Sequence, residues 1–448
     1  MRGLSARGAR RAVAAGLLAA ALSWPAGPAI GARDEAGLIA GAGSVEVTLP
    51  PGTPLGGYGG FPRRGWLPDV LGRYPHAFWF RPSIGVHDPM KVRGLLLESG
   101  KVRVLWLAVD LVGIDPSLVS ELRGRLARRG LSYAAVIASA SHTHSGPGAY
   151  VDSALFGFLA VDRLSPAVRG AILDGLEEAA RQADARKVSA RVASGRTEVR
   201  GIAESRVQEA LDPELGVVKL MGTDGRPVAL VWNYAVHGTA LGRDNFLLSG
   251  DLMGEASARI ERQIGAPVLF VNGAVGDVSP RPRGWAGVQA AGAALADGAL
   301  RAWAQAGTES GRLQIATERV GLPAPTVALR NCLRGWAPAW MTIGLRETLP
   351  SSTEVIAISI GRTAWVTIPG ELETKLGLEI KAGARQRFRH VFIAGVSNDY
   401  LGYFLVPADY RRPSYIACGS LYGERGGEII RDAAMAALRR LGAGGDRR

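Results

Sequence analysis

The stretch Ala134-Ala135-Val136-Ile137-Ala138-Ser139-Ala140, running on into Ser141-His142-Thr143-His144-Ser145-Gly146-Pro147-Gly148, decides the fold class. Its first half is a short, continuous apolar run, the pattern of a strand buried on both faces. Its second half turns abruptly polar and closes on Gly-Pro-Gly. Open α/β sheets build their sites where buried strands end in such loops. Similar Val/Ile/Leu-rich runs occur at Ser44–Leu49, Val102–Asp110, Pro227–Ala235, Pro267–Asn272, Val355–Ile360, Ala364–Ile368 and Val391–Gly395. Amphipathic stretches lie at Ser117–Arg129, Ala167–Arg186, Asp251–Ile264, Gly287–Ala306, Glu371–Arg385 and Gly427–Leu441. This alternation predicts one large α/β domain with a mixed β-sheet core, flanking helices and an active site at strand ends. The irregular segment Pro50–Pro89, rich in Gly, Pro and aromatics, is predicted to form loops over one face of the sheet.

Composition narrows the function classes. A chain of 448 residues that is 47% hydrophobic has ample core material and is not a disordered protein. The net charge of +13 invites a polyanion partner, yet 47 of the 53 basic residues are Arg, scattered among acids with no run of five. No nucleic-acid motif accompanies them, so no nucleic-acid partner is expected. A cationic surface still favours peripheral contact with anionic membranes. Cys332 and Cys418 are too few for a disulfide framework or a Cys-rich zinc module, and leave room for one bridge if the protein is exported.

Export is the expectation. Arg2, Arg7, Arg10 and Arg11 precede an apolar stretch from Ala12 to Trp24, and small residues follow at Ala29 and Gly31. This is the order of a signal peptide over residues 1–31, too short in its apolar part to span a bilayer. An uncleaved anchor is the alternative. Cleavage lowers the net charge to +9 and leaves a catalytic domain over 32–448.

Four polar segments at strand ends carry candidate chemistry. If the strand continues past Ala140, His142 and His144 point to one side, because side chains alternate with a period of two. Two imidazoles there share a metal, divide into a ligand and an acid/base group, or are simply surface histidines. His237, in Asn233-Tyr234-Ala235-Val236-His237-Gly238-Thr239, ends a second strand, and Ser249-Gly250-Asp251 is predicted to N-cap the following helix. Glycines 273 and 276, before Asp277-Val278-Ser279, permit close backbone approach and free N–H groups for an oxyanion, or form a plain turn. Glu371, in Ile368-Pro369-Gly370-Glu371, is a capping carboxylate at a helix start or a ligand. Past a further strand, Asn398-Asp399-Tyr400-Leu401-Gly402-Tyr403 concentrates polar and phenolic groups. Two histidines, a glutamate and another oxygen donor make a four-ligand zinc set. Phosphate-loop, His-Glu-x-x-His and Gly-x-Ser-x-Gly motifs are missing, so the common kinase, zincin and α/β-hydrolase readings lack support.

Taken together, these segments resemble the neutral/alkaline, non-lysosomal ceramidase family. The matching words are Ser-His-Thr-His-Ser-Gly-Pro-Gly (141–148), Ala-Val-His-x-Thr (235–239), Ser-Gly-Asp (249–251) and Val-Gly-Asp-Val-Ser-Pro (275–280). Pro-Gly-Glu (369–371), Asn-Asp-Tyr-x-x-Tyr (398–403) and Leu-Tyr-Gly (421–423) complete them in family order. The resemblance implies a zinc ion held by His142, His237, Glu371 and a tyrosine, with Tyr403 preferred over Tyr400. It implies His144 as acid/base or orienting group, Ser279 as the catalytic serine, and Tyr415 as the second family tyrosine. Arg206, in Glu204-Ser205-Arg206, matches a carbonyl-polarising arginine by spacing alone. Where the family has His-Pro-Thr this chain has His237-Gly238-Thr239, and one helix follows Leu-Tyr-Gly instead of the family's immunoglobulin-like domain. The activity implied is an exported zinc amidohydrolase acting on the N-acyl bond of ceramide or a related sphingolipid. A zinc amidase or esterase for another N-acylated substrate is the first alternative, and a silent zinc- or lipid-binding protein of the same fold is the second.

Overall fold

The structure, a computed structural model, describes residues 30–31, 37–207 and 211–442. The expected signal peptide, residues 1–31, lies outside the described residues except for the backbone of Ile30–Gly31. No helix among the described residues is long and apolar enough to cross a membrane.

The first half of the chain contains β1 (Leu38–Val47), β2 (Met90–Ser99), β3 (Val102–Val109), α1 (Pro116–Arg128), β4 (Ala135–Ala140) and α2 (Pro166–Ala185). It continues through β5 (Val188–Glu198), a short β6 (Ala203–Ser205), β7 (Glu214–Gly222), β8 (Pro227–Tyr234) and α3 (Asp251–Ile264). Next come β9 (Val268–Asn272), a short β10 (Val278–Pro280) and α4 (Gly284–Ala304). These strands form one large sheet in the order β9-β8-β7-β5-β1-β2-β3-β4, parallel only at β8–β9 and β3–β4. The second half supplies β11 (Leu313–Gly321), β12 (Ser352–Ile360), β13 (Thr363–Thr367), a short β14 (Glu371–Leu372) and α5 (Thr374–Ala384). It ends with β15 (His390–Ala394), a short β16 (Tyr403–Phe404), α6 (Tyr415–Cys418) and α7 (Gly426–Arg440). A smaller sheet runs β11-β12-β13-β15, with Ile30–Gly31 on its outer edge.

The two sheets pack face to face. Leu97, Trp106, Val218 and Leu269 of the large sheet meet Ile315, Ile358, Trp365 and Phe392 of the small one. Alternate residues point the other way: Leu105 and Leu107 pack under Leu122 of α1 and Leu176 of α2, while Val268 and Phe270 lie under α3 and α4. Helices α5 and α7 cover the small sheet. Burial on both faces is why these strands read as unbroken apolar runs. The α/β class with mixed sheets and flanking helices is the expected one, the division into two sheets and four layers goes beyond that expectation, and helix boundaries fall within three residues of it.

Two differences have physical causes. Helix α5 begins at Thr374, so Glu371 caps no helix and sits in β14. Strands β2, β5, β7 and β11 were absent from the apolar-run reading because Arg93, Arg191, Lys219 and Arg319 interrupt them. Arg93 is buried and its Nε donates to Glu261 Oε1 of α3 at 2.7 Å, so a charge inside a strand is satisfied by a covering helix. Cys332 and Cys418, whose pairing was left open, form a disulfide.

The inter-sheet core generates a graded prediction. The Trp365 indole N–H has no hydrogen-bond partner among the described residues, whereas Trp106 Nε1 donates to Ser139 Oγ at 3.0 Å. In urea unfolding, Trp365→Ala is expected to cost about 3–5 kcal/mol. Trp365→Phe should cost less than Trp106→Phe, by about 1 kcal/mol, because only the latter removes a hydrogen bond.

Candidate active site

The large sheet coils until its two edges meet. Strands β4 and β9 stand at opposite ends of the strand order, yet their C-terminal ends are joined through Asn272. The fully buried Asn272 amide donates to Ser141 O (3.1 Å) and Val236 O (3.0 Å) and accepts from Gly273 N (2.9 Å) and Val236 N (3.3 Å). The tail of β15 fills the same seam, with Gly395 N donating to Asn272 O at 2.9 Å and Ala140 N to Val396 O at 3.0 Å. The two histidine loops then pair directly. Thr143 and Gly238 form a parallel bridge, with His144 N donating to Gly238 O at 2.8 Å. Only glycine fits at 238, since a Cβ there would lie 2.5 Å from Thr143 Cα. The Gly in place of the family proline is thus a packing requirement of this chain.

Three imidazoles converge as a result. The ring centroids of His142 lie 5.0 Å from His144 and 4.4 Å from His237, and ligand nitrogens of all three lie within 4.8 Å of one another. Strand alternation is not the cause: the strand ends at Ala140, and His142 takes a left-handed φ of 64°. His142 Nδ1 lies 2.5 Å from Val112 O, and a carbonyl can only accept, so Nδ1 carries the proton and Nε2 presents its lone pair to the site. Glu371 enters from β14, its carboxylate 3.4 Å from His142 Nε2 and 2.9 Å from His237 Nε2. Tyr403 stands beside Glu371 in the parallel β14–β16 pair. Tyr400 donates its phenol proton to Glu371 Oε1 at 2.6 Å, so it orients the carboxylate.

The second group lies on the adjoining wall. Strands β6 and β10 pair antiparallel, with Ser279 opposite Glu204. This brings Arg206 Nε to 2.8 Å from Ser279 Oγ, and the guanidinium to 5.4 Å from the Tyr415 ring. Tyr415 meets Tyr403 edge to face at 6.0 Å. His144, His237, Glu371, Tyr403, Arg206, Ser279 and Tyr415 all line one cavity of about 780 Å³, while His142 lies beneath its floor. Val112, Ile114, Phe156, Leu159 and Leu349 make its walls largely apolar.

Electrostatics divide the groups by role. Burial, and then the neighbouring His142 and His237, hold the His144 imidazole well below its usual range, so it is neutral at pH 7. Burial, Arg206 and His142 lower His237 to about 3. Burial pushes the Glu371 carboxyl up, but His142 and His237 outweigh it and hold it well below the carboxylate range. Burial and the Glu371 charge push the Tyr403 phenol well up. Among the described residues, His142 Nε2, both nitrogens of His144 and of His237, and Glu371 Oε2 are buried without an aligned hydrogen-bond partner. Orphaned buried polar atoms cost about 1–3 kcal/mol each, so this many around one point fit a bound cation. Neutral imidazoles with a carboxylate are zinc-type donors.

Several participants lie outside the expected site residues, although Gly57-Tyr58-Gly59 is similar to the family's opening segment. Asn272 reads as part of a glycine-rich turn, and its role appears only when the sheet edges meet. Gly57 has φ 102°, and a Cβ there would lie 2.5 Å from His144 Nδ1; the Tyr58 ring lies edge-on to His144 at 4.9 Å. This pair comes from the loop segment 50–89, some 90 residues before the histidine it shapes.

Residues 81–294 match the family model for the N-terminal part of neutral/alkaline non-lysosomal ceramidases. That span holds His142, His144, Arg206, His237 and Ser279. The chain is 26% identical over 234 residues to the neutral ceramidase of Mycobacterium tuberculosis, covering 45% of this chain and 36% of that protein. It is 26% identical over 224 residues to the neutral ceramidase of Pseudomonas aeruginosa, covering 44% and 33%. The matched stretch thus spans about a third of the length of these relatives. The crystal structure of neutral ceramidase from Pseudomonas aeruginosa superposes with a TM-score of 0.77 at 19% identity, over 91% of this chain and 75% of that one. A ceramidase complexed with C2 superposes equally well, with a TM-score of 0.77 at 18% identity.

Two substitutions test the assembly. Asn272→Leu removes the partner of Ser141 O, Val236 O and Val236 N, while Gly273 N keeps Tyr234 O, and should lower stability by about 2–5 kcal/mol in urea titrations. Gly57→Ala should leave the melting temperature within a few degrees yet move the His144 imidazole resonances, as read by NMR of the labelled protein.

Proposed function

The chain belongs to the neutral/alkaline non-lysosomal ceramidase family, and on that premise we propose that it is an exported zinc amidohydrolase cleaving the N-acyl bond of ceramide or a related sphingolipid. The observation carrying this reading is the convergence of His142, His237, Glu371 and Tyr403 at the base of an apolar cavity beside Arg206 and Ser279. Those four residues would hold the metal. The three imidazoles make a competing donor set, but the Glu371 carboxylate already lies between His142 and His237. The His144 ring packs instead against Gly57 and Tyr58, on the substrate side.

Zinc bound there supplies a Lewis acid for the amide carbonyl and lowers the pKa of water to about 7. The protein's own groups do the rest. His144, neutral at pH 7, accepts a proton as water adds to the carbonyl carbon, and returns it to the nitrogen as the C–N bond breaks. The products are a fatty acid and a free amine. Arg206 keeps its charge, since Tyr403, Tyr415 and Glu371 outweigh its burial, and its guanidinium faces the developing oxyanion. Ser279 accepts a hydrogen bond from that guanidinium, an arrangement that favours transition-state stabilisation over nucleophilic attack. The apolar walls suit an acyl chain. The Cys332–Cys418 bridge supports export, because such bonds persist in oxidising compartments.

Metal analysis of the purified protein should find one zinc per chain, lost in His142→Ala and retained in His144→Ala. Both variants should lose at least a hundredfold in kcat on a fluorescent ceramide. Zinc loss in His144→Ala would favour the three-histidine set. Stoichiometric zinc with turnover only of other N-acyl compounds would reassign the substrate. With Ser279→Ala, residual turnover without a trappable acyl-enzyme is expected, and an acyl adduct on Ser279 in the wild type would reverse that role.

A further inference from the structure

Among the described residues, four of the five most exposed large apolar side chains, all but Ile84, fall into two arms, and both arms adjoin residues lining the catalytic cavity. Trp66, Leu67 and Leu71 of the first arm are 87%, 83% and 75% exposed; Trp336 and Trp340 of the second are 91% and 80% exposed. The first arm, residues 61–74, follows Gly57–Gly59 of the cavity wall. Arg64 anchors it, its Nε donating to Gly59 O at 2.7 Å and its guanidinium lying 4.4 Å over Phe158, next to the wall residue Leu159. The second arm, residues 329–346, is tied by the Cys332–Cys418 bridge to the helix carrying Tyr415, and leads directly into the wall residues Thr348, Leu349 and Pro350. Soluble proteins do not scatter full-size tryptophans so far into water on both sides of one opening without a partner.

We propose that the two arms are a membrane-docking surface that seats the cavity mouth on a bilayer containing anionic lipids. This rests on the reading above that the substrate resides in a bilayer. Charge identifies the occupant. The arms contain six arginines and one acid, Asp69; Arg63 is buried against backbone carbonyls, and the other five give the arms a surface charge of +4. No acid lies between Leu329 and Arg346. Arg73 and Arg334 stand exposed among the apolar side chains. Tryptophan at the depth of the headgroups, with long cationic side chains reaching outward to phosphates, is the chemistry of a bilayer interface. A protein partner would favour a larger contiguous apolar core with a mixed-charge rim. Docking at the mouth gives an acyl chain a path into the apolar cavity without crossing water.

The test is co-sedimentation of the full protein with vesicles of phosphatidylcholine alone and with about 30% phosphatidylglycerol, at about 0.15 M salt. Wild type should bind the anionic vesicles at least tenfold more than the neutral ones, and brominated lipid should quench its tryptophan emission. Trp336→Ala/Trp340→Ala should lose at least tenfold in vesicle binding, while its kcat/KM on a water-soluble short-chain N-acyl substrate stays within twofold of wild type. Unchanged vesicle binding in that variant, or none in the wild type, overturns the proposal. A dimeric wild type with monomeric Trp variants would likewise overturn it, assigning the arms to a second copy. Should the variant fold poorly, absence of quenching by brominated lipid in the wild type decides alone. Failure of the hydrolase reading looks different, as vesicle binding without cleavage of either substrate.

Discussion

One buried carboxamide holds the candidate site together. The Asn272 side-chain amide donates to Ser141 O and Val236 O and accepts from Val236 N, while its backbone carbonyl accepts from Gly395 in the tail of β15. No other side chain of its size offers two donors and an acceptor in that geometry. Without it, the edges of the large sheet expose backbone groups to each other with no partner, and the strands bearing His142 and His237 have no reason to close. Histidine convergence, the Glu371 approach and the position of Ser279 all follow from this seam.

The seam also explains which parts of the molecule a linear reading reaches. Strands β3, β4, β8 and β9 announce themselves because each is buried on both faces. Strands carrying Arg93 or Lys219 do not, because their charges are satisfied by partners distant in the chain. The histidines, Glu371, Tyr403 and Ser279 stand out as residue types at strand ends, whereas Arg206 is reached only through its spacing in a family segment. Their mutual geometry does not: His142 reaches its place through a left-handed backbone, and Glu371 through a two-residue strand where a helix start was expected. Gly57, Tyr58 and Asn272 act only across long sequence separations, which no local pattern encodes.

Around the seam, the sandwich divides its labour. The inter-sheet layer of Trp106, Trp365 and Phe392 holds the scaffold rigid, and the chemistry sits past the strand ends, where backbone groups are free of the ladders. The same division places the cavity between a stiff floor and walls contributed by loops, one of which is fastened by the Cys332–Cys418 bridge.

The spread of the donor set along the chain has a consequence for biosynthesis. His142 and Tyr403 lie 261 positions apart, with His237 and Glu371 between them. A growing or translocating chain therefore carries His142 alone of the proposed set for 95 residues, and His142 with His237 for the next 134. The full set exists only once β16 is added and both sheets have closed. With the proposed ligand set, metal capture would be the last event of assembly, and occupancy of the site would record that the whole sandwich has formed.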